Sequence, residues 1–150
     1  MGEKQFVILK INGEEYGVNI ENVKEISEFR DITSIPNSPE FIEGIINLRG
    51  VITPVINLRK KFNLPFEQVN KKNSRIIIVN VNDMQVGFFV DDASYVLTIN
   101  DKDIEQTPEL IVNDDVRYIA GIAKVEERMI VLIDLEYIFK DDEKKQLASI

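Results

Sequence analysis

Carboxylate pairs and one arginine are the residues best able to do chemistry in this chain of 150 residues. Asp91-Asp92 ends a strand-like run, where two carboxylates can hold a divalent cation. Such a site wants more oxygen ligands than this pair supplies. Glu21-Asn22 stands at the same point of an internal repeat, so a shared turn is the simpler expectation. Glu126-Glu127, Asp114-Asp115 and Asp141-Asp142 read as solvated charges of a turn, a loop and the tail. Arg49 is different: it follows Ile45-Ile46-Asn47-Leu48 and precedes Gly50. An arginine between apolar neighbours wants a carboxylate partner. Glu25, beside Val23 and Ile26, is the candidate.

Other chemistries are poorly served. Histidine and cysteine are both absent. That removes the usual acid–base group near neutral pH, a Ser-His-Asp triad, disulfides and thiolate metal sites. A carboxylate or metal-dependent hydrolase built on Asp91, Asp92 and Glu21 is the one catalytic alternative. Gly44 and Gly50 are six apart, but no Gly-Lys-Ser/Thr follows, so a phosphate loop is not expected. No cofactor is implied. The net charge of −8 opposes general binding to nucleic acid or anionic lipid. Lys60-Lys61 and Lys71-Lys72 are local basic spots on that background. No apolar run approaches the ~20 residues that span a bilayer. The opening Met1-Gly2-Glu3-Lys4-Gln5 lacks a signal-peptide pattern, so a cytoplasmic location is expected.

The positioning elements come from repetition. Gly44 to Phe62 repeats as Gly121 to Phe139 at an offset of 77. Gly44/Gly121, Ile45/Ile122, Ile56/Ile133, Leu58/Leu135 and Phe62/Phe139 are identical, and Asn57/Asp134 both suit a helix cap. Phe6 to Asn12 is echoed at an offset of 70 by Ile76 to Asn82, and Gly17-Val18-Asn19-Ile20 by Gly87 to Val90. Two copies of a small unit predict two similar lobes, near 1–74 and 75–150, with terminal strands free to cross. Asn12-Gly13 predicts a hairpin between two strands. A short helix is expected after Ser38-Pro39, burying Phe41, Ile42 and Ile45. Leu58–Phe62 and Leu135–Phe139 read as short helices, and the tail from Lys140 as frayed. Many short strands with frequent turn signals, and no long helices, argue for a mainly β protein of small barrels.

Three blocks carry a family resemblance: Tyr16 to Ile26, Phe41 to Arg59 around Asn47-Leu48-Arg49-Gly50, and Val86 to Asp91. They closely resemble CheW, the bacterial chemotaxis coupling family, over nearly the whole chain. The resemblance implies two SH3-like five-stranded β-barrels side by side. It implies a non-catalytic adaptor between the histidine kinase CheA and the cytoplasmic tip of methyl-accepting chemoreceptors. The protein would be a monomer in isolation, without membrane insertion, and part of receptor arrays. Receptor contact would map to Val7, Ile20, Val23 and Ala93, with Glu25 and Arg49 at the edge of an inter-lobe groove. Kinase contact would map to Ile35, Pro36 and Phe41, and to Leu110 in the second lobe. The same resemblance admits a docking module that recruits another signalling enzyme.

Overall fold

A computed structural model describes residues 2–64, 73–106 and 117–149. Strands dominate: β1 (Glu3–Ile11), β2 (Glu14–Asn19), β3 (Val23–Glu28), β4 (Ile42–Leu48), β5 (Val51–Asn57), β6 (Arg75–Val81), β7 (Met84–Val90), β8 (Asp92–Asn100), β9 (Ile104–Glu105), β10 (Ile119–Val125) and β11 (Arg128–Ile133). Two short helices join them, α1 (Leu58–Lys61) and α2 (Asp141–Ala148).

The strands form two SH3-like sheets. One has the order β8-β1-β2-β11-β10-β9, the other β3-β6-β7-β5-β4. The first therefore has six strands, one more than expected, because the two-residue β9 adds to its edge. The other sheet has only an isolated Thr33–Ile45 bridge at that place.

The repeat seen in the sequence is a repeat of registers. Phe6 opposes Asn19 in one hairpin, and Ile76 opposes Phe89 in the other. Gly44 opposes Val55 and Gly121 opposes Leu132, each beside a register shift. β5 runs parallel to β7, as β11 does to β2. Sheet membership, however, does not divide at residue 74. The β1–β2 hairpin pairs with β8 and β11, whereas the β6–β7 hairpin pairs with β3 and β5, and β4 joins that sheet through β5. Each repeat thus lends its first hairpin to the other's sheet.

Three local expectations are corrected. Residues 42–48 are a strand, not a helix. Ile42, Ile45 and Ile46 are β-branched, which favours a pleated strand over a helix. Gly44 has φ +151, and a Cβ there would meet the Thr33 carbonyl oxygen at 2.1 Å. Ser38 donates to the Ile35 carbonyl at 2.9 Å instead of capping a helix. Residues 135–139 are turns and bends, although Asp134 Oδ1 does accept the Glu136 N–H at 2.9 Å. The tail is not frayed, because α2 is anchored. Its Leu147 is 3% exposed, Glu143 accepts the Lys140 N–H at 2.7 Å, and Lys61 meets Glu143 at 3.3 Å.

The largest core cluster lies between the sheets and draws on both. Val7, Leu9, Ile56, Ile77, Phe88 and Ile133 belong to it. Aromatic pairs cross-brace it: Phe62 stacks on Tyr118 at 4.4 Å, and Phe139 lies 5.9 Å from Phe41. In each pair, one ring comes from each repeat. Ile56 and Ile133 are 0% and 6% exposed. Truncating either to Ala should cost about 2–5 kcal/mol in a urea melt, the usual range for a buried aliphatic side chain. Parental stability in either variant would show that these equivalent positions do not carry the core.

Candidate functional site

Arg49 and Glu25 meet at one end of the second sheet. Arg49 and Gly50 form the tight turn between β4 and β5, with φ 52 and 87. Asn47 Oδ1 fixes the turn by accepting the Gly50 N–H at 2.8 Å. The left-handed backbone at Arg49 comes from the hairpin, since Glu126 at the equivalent turn has φ 58. The guanidinium donates twice to Glu25, at 2.7 and 3.0 Å. The side chains of Arg49 and Glu25 are 74% and 27% exposed. β3 and β4 are opposite edges of the sheet, so the pair closes the barrel edge to edge. The Arg49 hydrogen bond holds the Glu25 carboxyl below the usual glutamate range. The folded-state pKa is lowered, so the pair is intact above that range and is lost as pH falls through the folded pKa.

The apolar residues expected beside it divide into two groups. Val7 and Ala93 are buried, 1% and 6% exposed, and belong to the core between the sheets. The resemblance maps receptor contact to Val7, but Val7 offers no exposed surface of its own. β1 is an interior strand, and its Val7 faces the shared core. Val23 is half-buried against the same core. Ile20 is 36% exposed, on a one-turn 3-10 helix between β2 and β3. Two residues that the sequence did not single out join it: Ile26 and Val96, 40% and 44% exposed. They are repeat equivalents on β3 and β8, opposite the core residues Ile77 and Val7. The offset of 70 that relates them was available in the sequence; their exposure was not.

Ile35 and Pro36 lie on a turn that faces α2 across a cleft of ≈ 390 Å³ lined by Asn37, Pro39, Gln146 and Ser149. Phe41 is more interior than a contact residue needs to be. It packs against the core, and Lys61 Nζ lies over its ring at 5.6 Å from the centroid. Leu110 falls outside the described residues.

Asp91 is taken by a partner that the sequence did not reveal. Arg59, on α1, donates to its two carboxylate oxygens at 3.0 and 2.5 Å, and the Asn12 N–H donates at 2.8 Å. Among the described residues, no cluster of three or more acidic side chains is arranged to hold a metal ion. No helix among them is long and apolar enough to cross a membrane.

The model of the CheW-like domain matches residues 5–143. The chain belongs to the CheW-like family. It is 40% identical to the chemotaxis protein CheW of Bacillus subtilis, over 98% of this chain and 92% of that one. It is 33% identical to the CheW of Thermotoga maritima, over 92% and 90%. The crystal structure of the scaffolding protein TtCheW from Thermoanaerobacter tengcongensis superimposes with a TM-score of 0.86 at 40% identity, over 95% of this chain and 96% of that one. These CheW-like relatives are named for chemotaxis and for scaffolding, and none carries an enzyme's name.

Proposed function

We propose that this CheW-like chain couples a CheA-type histidine kinase to the cytoplasmic tip of methyl-accepting chemoreceptors, without catalysis of its own. The observation that carries this is a set of exposed apolar residues on and beside the edge strands β3 and β8, together with an exposed arginine that β3 orients through Glu25. Ile20, Ile26 and Val96 offer apolar surface, and Arg49 stands at the edge on Glu25. Contiguous exposed apolar surface is usually kept for a partner. An amphipathic helix, with its apolar face on the strip these residues would form and a polar flank toward Arg49, fits that arrangement. Val7 and Ala93 would support the strip from beneath, and Val23 would join it at half depth. The turn at Ile35 and Pro36, with its cleft against α2, is the proposed kinase contact of the first lobe, and Leu110 remains the contact that the resemblance implies for the second. The protein would work at the inner face of receptor arrays.

A pull-down with the kinase and a receptor-tip fragment tests the proposal, with the Arg49→Ala variant beside the parent. An ion pair this exposed contributes little to stability, so the variant should melt close to the parent. It should nevertheless recover less ternary complex. Lys should substitute poorly, because it lacks the planar fork of donors. A destabilised variant whose folded fraction still assembles normally would reduce Arg49 to a turn-pinning role.

A further inference from the structure

The chain passes from one sheet to the other twice, once early in each repeat, and the two passages are built differently. The first is the 3-10 turn Ile20–Asn22, between β2 and β3. The second is Asp91, between β7 and β8. The offset of 70 makes Glu21 the equivalent of Asp91, and the offset of 77 makes Glu136 the equivalent of Arg59.

At Asp91 the passage is fastened on every side. Arg59, whose side chain is 7% exposed, grips the carboxylate with two donors. The Asn12 N–H binds the same carboxylate, and the Asp91 N–H reaches across to the Lys10 carbonyl at 3.0 Å. None of this recurs at the first passage. The Glu21 N–H is held only by its neighbour Asn19, at 2.9 Å. Glu21 and Glu136 are both exposed, so the equivalent positions hold two acids where the other passage has an acid and an arginine. Clefts border both passages, one of ≈ 260 Å³ touching Asn19, Asn22, Asp134 and Leu135 and one of ≈ 470 Å³ touching Arg59, so the difference lies in the bonds and not in the space.

We infer that the two sheets form an asymmetric hinge, fixed at Asp91 by Arg59 and compliant at Ile20–Asn22. Hinges need only a few element-terminal residues that can absorb a backbone change. A small rotation about the fixed passage changes the spacing between β3 and β8, and with it the spacing between Ile26 and Val96. Arg59 and Asp91 are then positioning residues for the strip, although neither touches a partner. The consequence for docking rests on the function proposed above; the hinge itself does not.

Hydrogen–deuterium exchange of the full chain, without partners, reads the hinge. Amides of Glu21 and Asn22 should exchange at least about tenfold faster than those of Asp91 and Asn12, as a locally weak joint requires. Equal rates would overturn the inference. Glu136→Arg with Glu21→Asp builds the missing pair. It should slow exchange at Glu21 and also along β3 at Val23 and Ile26. Slowing confined to residue 21 would mean local fraying, not a hinge, and would overturn the inference too. Should that variant not fold, Arg59→Lys loosens the fixed side instead. Exchange at Asp91 and Ala93 should then rise toward that of the first passage, and no rise in the folded protein would again overturn it. A receptor-tip fragment added to the parent should protect β3. Its failure to do so, with the exchange asymmetry intact, counts against the docking proposal alone.

Discussion

Asp91→Ala should lower stability by about 3 kcal/mol, the low end of the cost of removing one partner from a buried ion pair. The low end applies because the Asp91 side chain is 22% exposed and water can reach part of the vacancy. For a chain of this length that is roughly 6–12 °C of melting temperature. The loss comes from what remains: the Arg59 guanidinium, 7% exposed and stripped of its carboxylate while still donating to Asn12 Oδ1 at 3.3 Å, and an Asn12 N–H without its acceptor. A hydrophobic replacement of both charged partners is often neutral, so Arg59→Met combined with Asp91→Leu should recover much of the loss. Recovery should be incomplete, because the Asn12 N–H stays unsatisfied. Urea melts of the two variants decide the matter. A single variant as stable as the parent would show that the pair does not bear on the fold, and a double variant worse than the single one would show that the attraction itself is the main contribution.

That pair marks where the sequence stopped being legible. The repeat could be read directly, because identical glycines and apolar residues at fixed offsets record the same registers twice. The reciprocal loan of hairpins could not, since a strand's apolar pattern is the same whichever sheet it joins. Arg59 sits next to the basic pair Lys60-Lys61 and looks like part of a solvated face. Only the packing of α1 against β7 buries it and turns Asp91 from a candidate ligand into half of a salt bridge. Arg49 was easier, because its repeat partner is an acid, so the fold unit has no need of its charge. Among the apolar residues, Val7 and Val96 face each other in register, yet one is 1% exposed and the other 44%. The difference is strand position: β1 is interior and β8 is an edge. Chain order carries no trace of that, and residues 42–48 were misread for a related reason, since a short apolar run suits a buried strand as well as a helix.

Ile26→Glu should fold like the parent and lose binding to a receptor-tip fragment by at least roughly a hundredfold, since a carboxylate pressed against an apolar helix face is desolvated without a partner. Val23→Glu would give a less readable answer, because Val23 packs on the core and a charge there also strains the fold. Ile26 is 40% exposed, so its substitution should stay within about 0.5 kcal/mol of the parent. Its position on edge strand β3 leaves the ladder to β6 intact, since the backbone and not the side chain makes those bonds. Val96→Glu, at the equivalent point of β8, should have a similar effect if one helix, or a pair of helices, lies across both strands. Met129→Glu is the control. Met129 is more exposed than Ile26, at 59%, but it lies on β11 near the β10–β11 turn, not on β3 or β8 and not on the turn that carries Arg49. Loss of binding in all three would point to general charge repulsion by an already acidic protein and not to a defined strip, and so would recovery of the Ile26→Glu affinity at high salt, because desolvation, unlike long-range repulsion, is not screened. Loss confined to Ile26 and Val96, with matching melts and no rescue by salt, is the result that the geometry of β3 and β8 requires.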